Sequence, residues 1–157
     1  MSKSVSSMLI GNADAQTCYY LPNAPTLPQG WSYRQEDATA TLIALNGNHW
    51  RKILTIMAKL SSLDADWKNY RDTQLLKDDE QIMIAASELS LTAKRHIIVG
   101  AESAAKLNIH YTSTSFNSLD EQDKLHGNGS GVFISPYLDY RQFPNSLIEQ
   151  LKPYLNK

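Results

Sequence analysis

Between two stretches of helical spacing lies His96-Ile97-Ile98-Val99-Gly100, a short β-branched apolar run that ends in glycine. A run without polar alternation suits a strand covered on both faces, and such strands belong to parallel sheets flanked by helices. On its amino-terminal side, Ile82, Ala85, Ala86, Leu89 and Ala93 recur at three- and four-residue intervals. Asp78, Asp79 and Glu80 open that stretch and Lys94 and Arg95 close it, the order that complements a helix dipole. The spacing predicts a helix over Asp78–Arg95. On the other side, Ala101–Leu107 reads as a short helix. Helix, buried strand, glycine, helix is the grammar of an α/β unit. The expected fold class is α/β, a single-domain, three-layer α/β/α sandwich with a small, mostly parallel sheet. No repeat and no linker divides the chain, so residues 1–157 are expected to form one globular domain.

The other segments fit that frame. Ser7–Ile10 and Cys18–Leu21 read as extended, and Pro22, Pro25 and Pro28 keep the following stretch out of helix. Asp37–Leu45 mixes β-branched residues, which favour a strand, with alanines, which favour a helix; both readings stay open, with helix preferred. Trp50, Ile53, Leu54, Met57 and Leu60 put one apolar face on a helix over Asn48–Leu60, with Asn46 or Asn48 as its cap. Ile109, Tyr111 and Ser113 suit an edge strand. Gly127, Gly129 and Gly131 punctuate a turn that shapes a hairpin and leads to a buried strand over Gly131–Ser135. Pro144-Asn145 opens a last helix carrying Leu147, Ile148, Leu151 and Leu155.

Fifteen Lys and Arg against sixteen Asp and Glu leave a net charge of -1, which speaks against a strongly basic nucleic-acid binder. Nothing approaches eighteen consecutive apolar residues, so no membrane partner is expected, and the first residues carry no apolar run of signal-peptide length. A cytoplasmic location is the expectation. The single cysteine, Cys18, allows no internal disulfide, and His49, His96, His110 and His126 show no metal-ligand spacing, so neither metal nor cofactor is expected.

Ligands of open α/β sheets bind beyond the carboxyl ends of the strands. Three segments are expected to meet there: Gly11–Asp14 with Asn12, Gly100–Ser103, and the loop Ser135–Pro144. The last packs Tyr137, Asp139, Tyr140, Arg141 and Phe143 between two prolines directly after a strand. Its rings could stack an aromatic or nucleotide-like ligand, with Asp139 or Arg141 on the polar edge. Equally, the rings could simply fold over the sheet end, with Asp139 and Arg141 paired locally. His49, at a helix start beside Trp50, is a further candidate to face a ligand. The alternative function is a non-catalytic interaction module that uses the same Tyr- and Arg-bearing loop as its contact surface.

The order of elements is similar to that of the uracil-DNA glycosylase superfamily, particularly its short mismatch-specific members. Gly11-Asn12-Ala13-Asp14 stands where the family has its first catalytic loop, and Asn48-His49-Trp50 resembles its Asn-x-Phe-Trp helix start. Ile97–Ala104 and Val132–Tyr137 occupy the places of its later strand-glycine-helix and its closing strand and loop. The resemblance implies that Asp14 orients the attacking water, Tyr20 or Tyr137 stacks the flipped base, and Asn48 or Ser135 reads it. The family's first loop carries a proline and its last a His or Asn; this chain has neither at those places. The closing Ser135–Asn145 also resembles that of short uncharacterised bacterial proteins.

Overall fold

A computed structural model describes residues 8–111 and 114–155. In chain order these residues form β1 (Met8–Gly11), β2 (Thr17–Leu21), α1 (Ala38–Asn46), α2 (Asn48–Ser61), α3 (Trp67–Thr73), β3 (Glu80–Ile84), β4 (Arg95–Val99), α4 (Gly100–Lys106), β5 (Asn117–Ser118), β6 (His126–Gly127), β7 (Val132–Ser135) and α5 (Asn145–Leu155). The strands make one sheet in the order β1-β3-β2-β4-β7-β6-β5. This is an α/β fold, and its sheet is mixed rather than mostly parallel. β3, β2, β4 and β7 run parallel, while β1 on β3, β6 on β7 and β5 on β6 are antiparallel. The physical reason is turn length at one edge. The glycine turn between β6 and β7 is too short for a parallel crossover, so it closes the hairpin that its composition suggests. Asn128 fixes that turn by accepting the Ser130 and Val132 amides on Oδ1.

Alternation along the parallel strands divides the core in two. Tyr19, Leu21, Ile82, Ile84, Ile97, Val99 and Phe133 face the larger core beneath α1, α2, α3 and α5. Cys18, Tyr20, Ile98, Val132 and Ile134 face the smaller one, covered by Ala104 and Leu107 of the α4 region and by Ala86. Helix α2 supplies the deepest wedge: Ile53, Leu54, Ile56, Met57 and Leu60 have no exposed surface. Its start is not capped as expected. Gly47, at φ +80°, precedes it without a side-chain cap, while Asn46 bonds Thr26 and Asn48 accepts from Arg51.

The helix expected over Asp78–Arg95 is the main departure. Its first third is β3, whose Ile82 and Ile84 alternate into the larger core, and the rest is an irregular crossover to β4. Ala85 at φ +55° ends the strand, and Ser90 bonds Thr92 Oγ1 and the Ala93 amide locally. The alanines that supported the helical stripe bury too little to outweigh two Ile side chains placed between β1 and β2. Ile109 and Tyr111 lie outside any strand; β6 takes the position beside β7, and β5 forms that edge of the sheet. Ser7 and Ser113 lie outside the described residues.

The chain leaves β2 toward β3 across the larger core, and leaves both β3 and β4 in the other direction across the smaller one. Opposite directions on opposite faces give every parallel crossover the same hand. They also part the chain between the carboxyl ends of β2 and β4, the switch point of the topology.

Candidate functional site

A crevice of about 500 Å³ opens at that switch point. Pro22 and Asn23 follow β2 into it, Gly100, Ala101 and Glu102 follow β4, and Ser135, Pro136 and Tyr137 follow β7. Gly100 turns strand into helix at φ +83°, a conformation that L side chains rarely adopt. A Cβ there would stand 4.0 Å from the Tyr137 ring, so the glycine is required by the turn rather than by space. Tyr137 is half-buried and stacks on His49, with ring centroids 5.7 Å apart and planes 24° apart. His49 Nε2 and Tyr137 Oη lie 3.0 Å apart, which fixes the tyrosine's tilt. Burial first, then the charges of Glu102 and Asp139, pushes the Tyr137 phenol above its ordinary pKa, so it is a neutral wall near neutral pH.

The opposite wall carries Tyr111 and His126, with centroids 5.2 Å apart. His126 Nε2 lies 3.0 Å from Asp123 Oδ1, and His126 Nδ1 is buried with no partner among the described residues. A neutral imidazole that donates from Nε2 to the carboxylate leaves Nδ1 as an acceptor. Lys124 and Gln142 complete the polar lining.

Of the residues expected to converge, the structure brings Gly100, Ser135 and Tyr137 to the crevice, with His49 behind Tyr137. Ser135 is buried and spends its hydroxyl on the Pro136 carbonyl at 2.9 Å. Asp139 accepts the Arg141 amide at 3.0 Å and thereby shapes its own turn, anchored by the buried Leu138 and Phe143. Tyr140 and Arg141 are exposed; the Tyr140 ring lies beside Lys52 and Lys59 of α2, away from the crevice. Asn48 is exposed and its Oδ1 accepts from Arg51 Nη1 at 2.7 Å. Asn12 and Asp14 do not join the others. β1 is antiparallel to β3, so its carboxyl end meets the first residues of β3 at the opposite edge of the sheet. There Asn12 bonds the Lys77 carbonyl and the Asp14 amide. The water-orienting and base-reading positions implied by the glycosylase resemblance thus stand at opposite ends of the sheet. Glu102 and Gln142 lie in segments expected to meet at the strand ends but were not singled out, and Tyr111, Asp123, Lys124 and His126 were not among the expected site residues.

The amino ends of the parallel strands hold a second cavity, of about 390 Å³. Its floor is Glu80, the first residue of β3, of which 1% is exposed. Glu80 Oε1 accepts the Leu76 amide at 3.1 Å, and Oε2 accepts from the Tyr70 hydroxyl. Burial pushes the Glu80 carboxyl up to about 7, against the lowering effect of those two hydrogen bonds. Burial, reinforced by Glu80, also raises Tyr70 above its ordinary value. Tyr19, with its hydroxyl 3.4 Å from Ser61 Oγ, lines the same space together with Thr17, Gln74, Asp78, Asp79 and Arg95. Tyr19 came from an expected strand, and Asp78, Asp79, Glu80 and Arg95 from the charged ends of an expected helix. Thr17, Ser61, Tyr70 and Gln74 lay in stretches that the sequence left unassigned.

Among the described residues no group of three or more His, Cys, Asp or Glu side chains is placed to hold a metal ion. No described helix is long and apolar enough to cross a membrane. Residues 8–156 match the model of a family of unknown function, DUF6942. No curated protein and no solved structure matches the chain.

Proposed function

The chain belongs to that family, and we propose that it binds a small planar, nucleobase-like ligand in the crevice at the carboxyl ends of β2, β4 and β7. The observation that carries this reading is the pair of aromatic walls, Tyr137 on His49 at one side and Tyr111 with His126 at the other. A volume of about 500 Å³ lies within the range of small-molecule sites. Stacking on aromatic rings contributes about 1–3 kcal/mol per base and tolerates any flat ring. Glu102 and Gln142 lie at the rim, where a carboxylate accepts from exocyclic amino groups as it does in base recognition. The carboxylates of Glu102 and Asp123 outnumber the one lysine of the lining, Lys124, and so favour a base or nucleoside over a nucleotide. Glu102 sits in the first turn of α4, where a phosphate would meet like charge, and Asp123 adds to it.

A thermal-shift panel of nucleobases, nucleosides and nucleotides tests this. A ligand at a hundred times its dissociation constant adds about 2.7 kcal/mol, a rise of roughly 5–11 °C for a chain of this size. Tyr137→Ala is expected to abolish the rise and Glu102→Gln to reduce it for amino-bearing bases. No shift from any member of the panel would refute the proposal. The weight would then pass to the outer side of the same loop, where exposed Tyr140 and Arg141 suit a protein partner.

A further inference from the structure

The three parallel strands β3, β2 and β4 begin side by side, and their first residues form a row. Thr17 is paired in register with Glu80 on one side and with Arg95 on the other. Strand spacing of about 4.8 Å sets the two charged residues' backbones roughly 10 Å apart, with a threonine between them. All three line the cavity at the amino ends. Arg95 donates from Nε to Thr17 Oγ1 at 2.9 Å, and it takes part in no ion pair among the described residues. Two exposed carboxylates, those of Asp78 and Asp79, line the same space beside the buried Glu80. A guanidinium and carboxylates that share one cavity without closing on each other match a ligand carrying both charges.

We propose that this cavity is a second binding site, for a small zwitterion of the amino-acid class. The ligand's carboxylate lies on the Nη groups of Arg95, whose orientation Thr17 fixes, and guanidinium favours such paired oxygens. Its ammonium lies toward Asp78 and Asp79. Ser61 and Gln74 supply polar groups beside the two poles, and Leu60 and Leu155 give an apolar wall for a side chain. The site is independent of the crevice: α2 has His49 near one end and Ser61 at the other. Its 14 residues span about 21 Å.

Calorimetric titration of the full chain with the proteinogenic amino acids, ethylamine and propionate tests the assignment. At least one amino acid is expected to bind saturably, with the amine alone and the acid alone each weaker by about tenfold or more. Arg95→Gln is expected to lower that affinity by about tenfold or more, as is the double change Asp78→Asn with Asp79→Asn. These side chains are at least partly exposed, so the variants should fold, which near-ultraviolet circular dichroism checks. Tyr137→Ala, at the other end of the sheet, should leave the affinity unchanged. Silence from every amino acid at millimolar concentration overturns the proposal, and so does binding that survives Arg95→Gln or that ethylamine matches.

Discussion

Replacing Glu80 by Gln removes an ionisable group from one of the least accessible positions in the protein without changing its shape. The wild-type carboxyl, raised by burial from 4.5 to about 7, binds its proton more tightly folded than unfolded. Such a group stabilises the fold below its unfolded pKa, and that contribution is lost as pH rises through the folded value. The whole effect is about 3 kcal/mol, of which about 2.5 kcal/mol falls between roughly pH 5 and pH 8. The amide can keep both contacts, with its oxygen accepting the Leu76 amide and its NH₂ donating to the Tyr70 oxygen. His96 acts with the opposite sign. Burial lowers its pKa, so its contribution is lost as pH falls. The useful quantity is therefore the difference between wild type and Glu80→Gln, from which His96 cancels. Urea unfolding followed by tryptophan fluorescence at the two pH values measures it. Wild type should lose about 2.5 kcal/mol relative to the variant between the two conditions, a midpoint displacement of roughly 1–2 M. Parallel pH dependence in the two proteins would falsify the claim that Glu80 is folded in as a neutral acid.

Gly131→Ala should lower stability by about 2–4 kcal/mol. The residue sits at φ +92°, and a Cβ there would stand within contact distance of the Lys94 carbonyl, at the point where β4 meets β7; thermal melts check it. Tyr20→Phe should leave the Ser90 amide and His96 Nδ1 without the hydroxyl that lies 2.8 Å and 2.7 Å from them. The expected outcome is a loss of about 1–3 kcal/mol and faster hydrogen exchange across residues 86–94 than elsewhere. Cys18 is buried and its thiol is pushed up to about 12, so it should resist disulfide reagents in the native protein and react once denatured.

How much of this could be read from the chain depended on how many elements each feature draws together. Helix α2 was legible because Trp50, Ile53, Leu54, Met57 and Leu60 carry enough apolar surface on one face to decide it locally. Strands β2, β4 and β7 were legible as apolar runs, and the strand-end rule then led to Gly100, Ser135 and Tyr137. Asn12 and Asp14 were misplaced because an antiparallel β1 reverses which end of the strand meets the site, and strand direction is a tertiary property. Tyr111 was read as part of an edge strand with Ile109 and Ser113, and the stretch with Asp123 and His126 gave no periodic signal.

Glu80 was read as complementing a helix dipole, since an acidic triplet before Ile82 has that meaning when the segment is helical. Once β3 pairs with β2, the same residue becomes the buried first position of a strand. The rule that ligands bind beyond carboxyl ends follows from crossovers that diverge there, and it says nothing about where parallel strands begin. At that edge a charged first residue has few neighbours in its own strand, so it must find partners on the next strand or on a helix returning overhead. Glu80 finds Tyr70 on α3, and Arg95 finds Thr17 on β2. Two charged residues opening parallel strands on either side of a threonine are visible in sequence only after the strands are aligned. Strand alignment, rather than any motif, is what exposes a site of this kind.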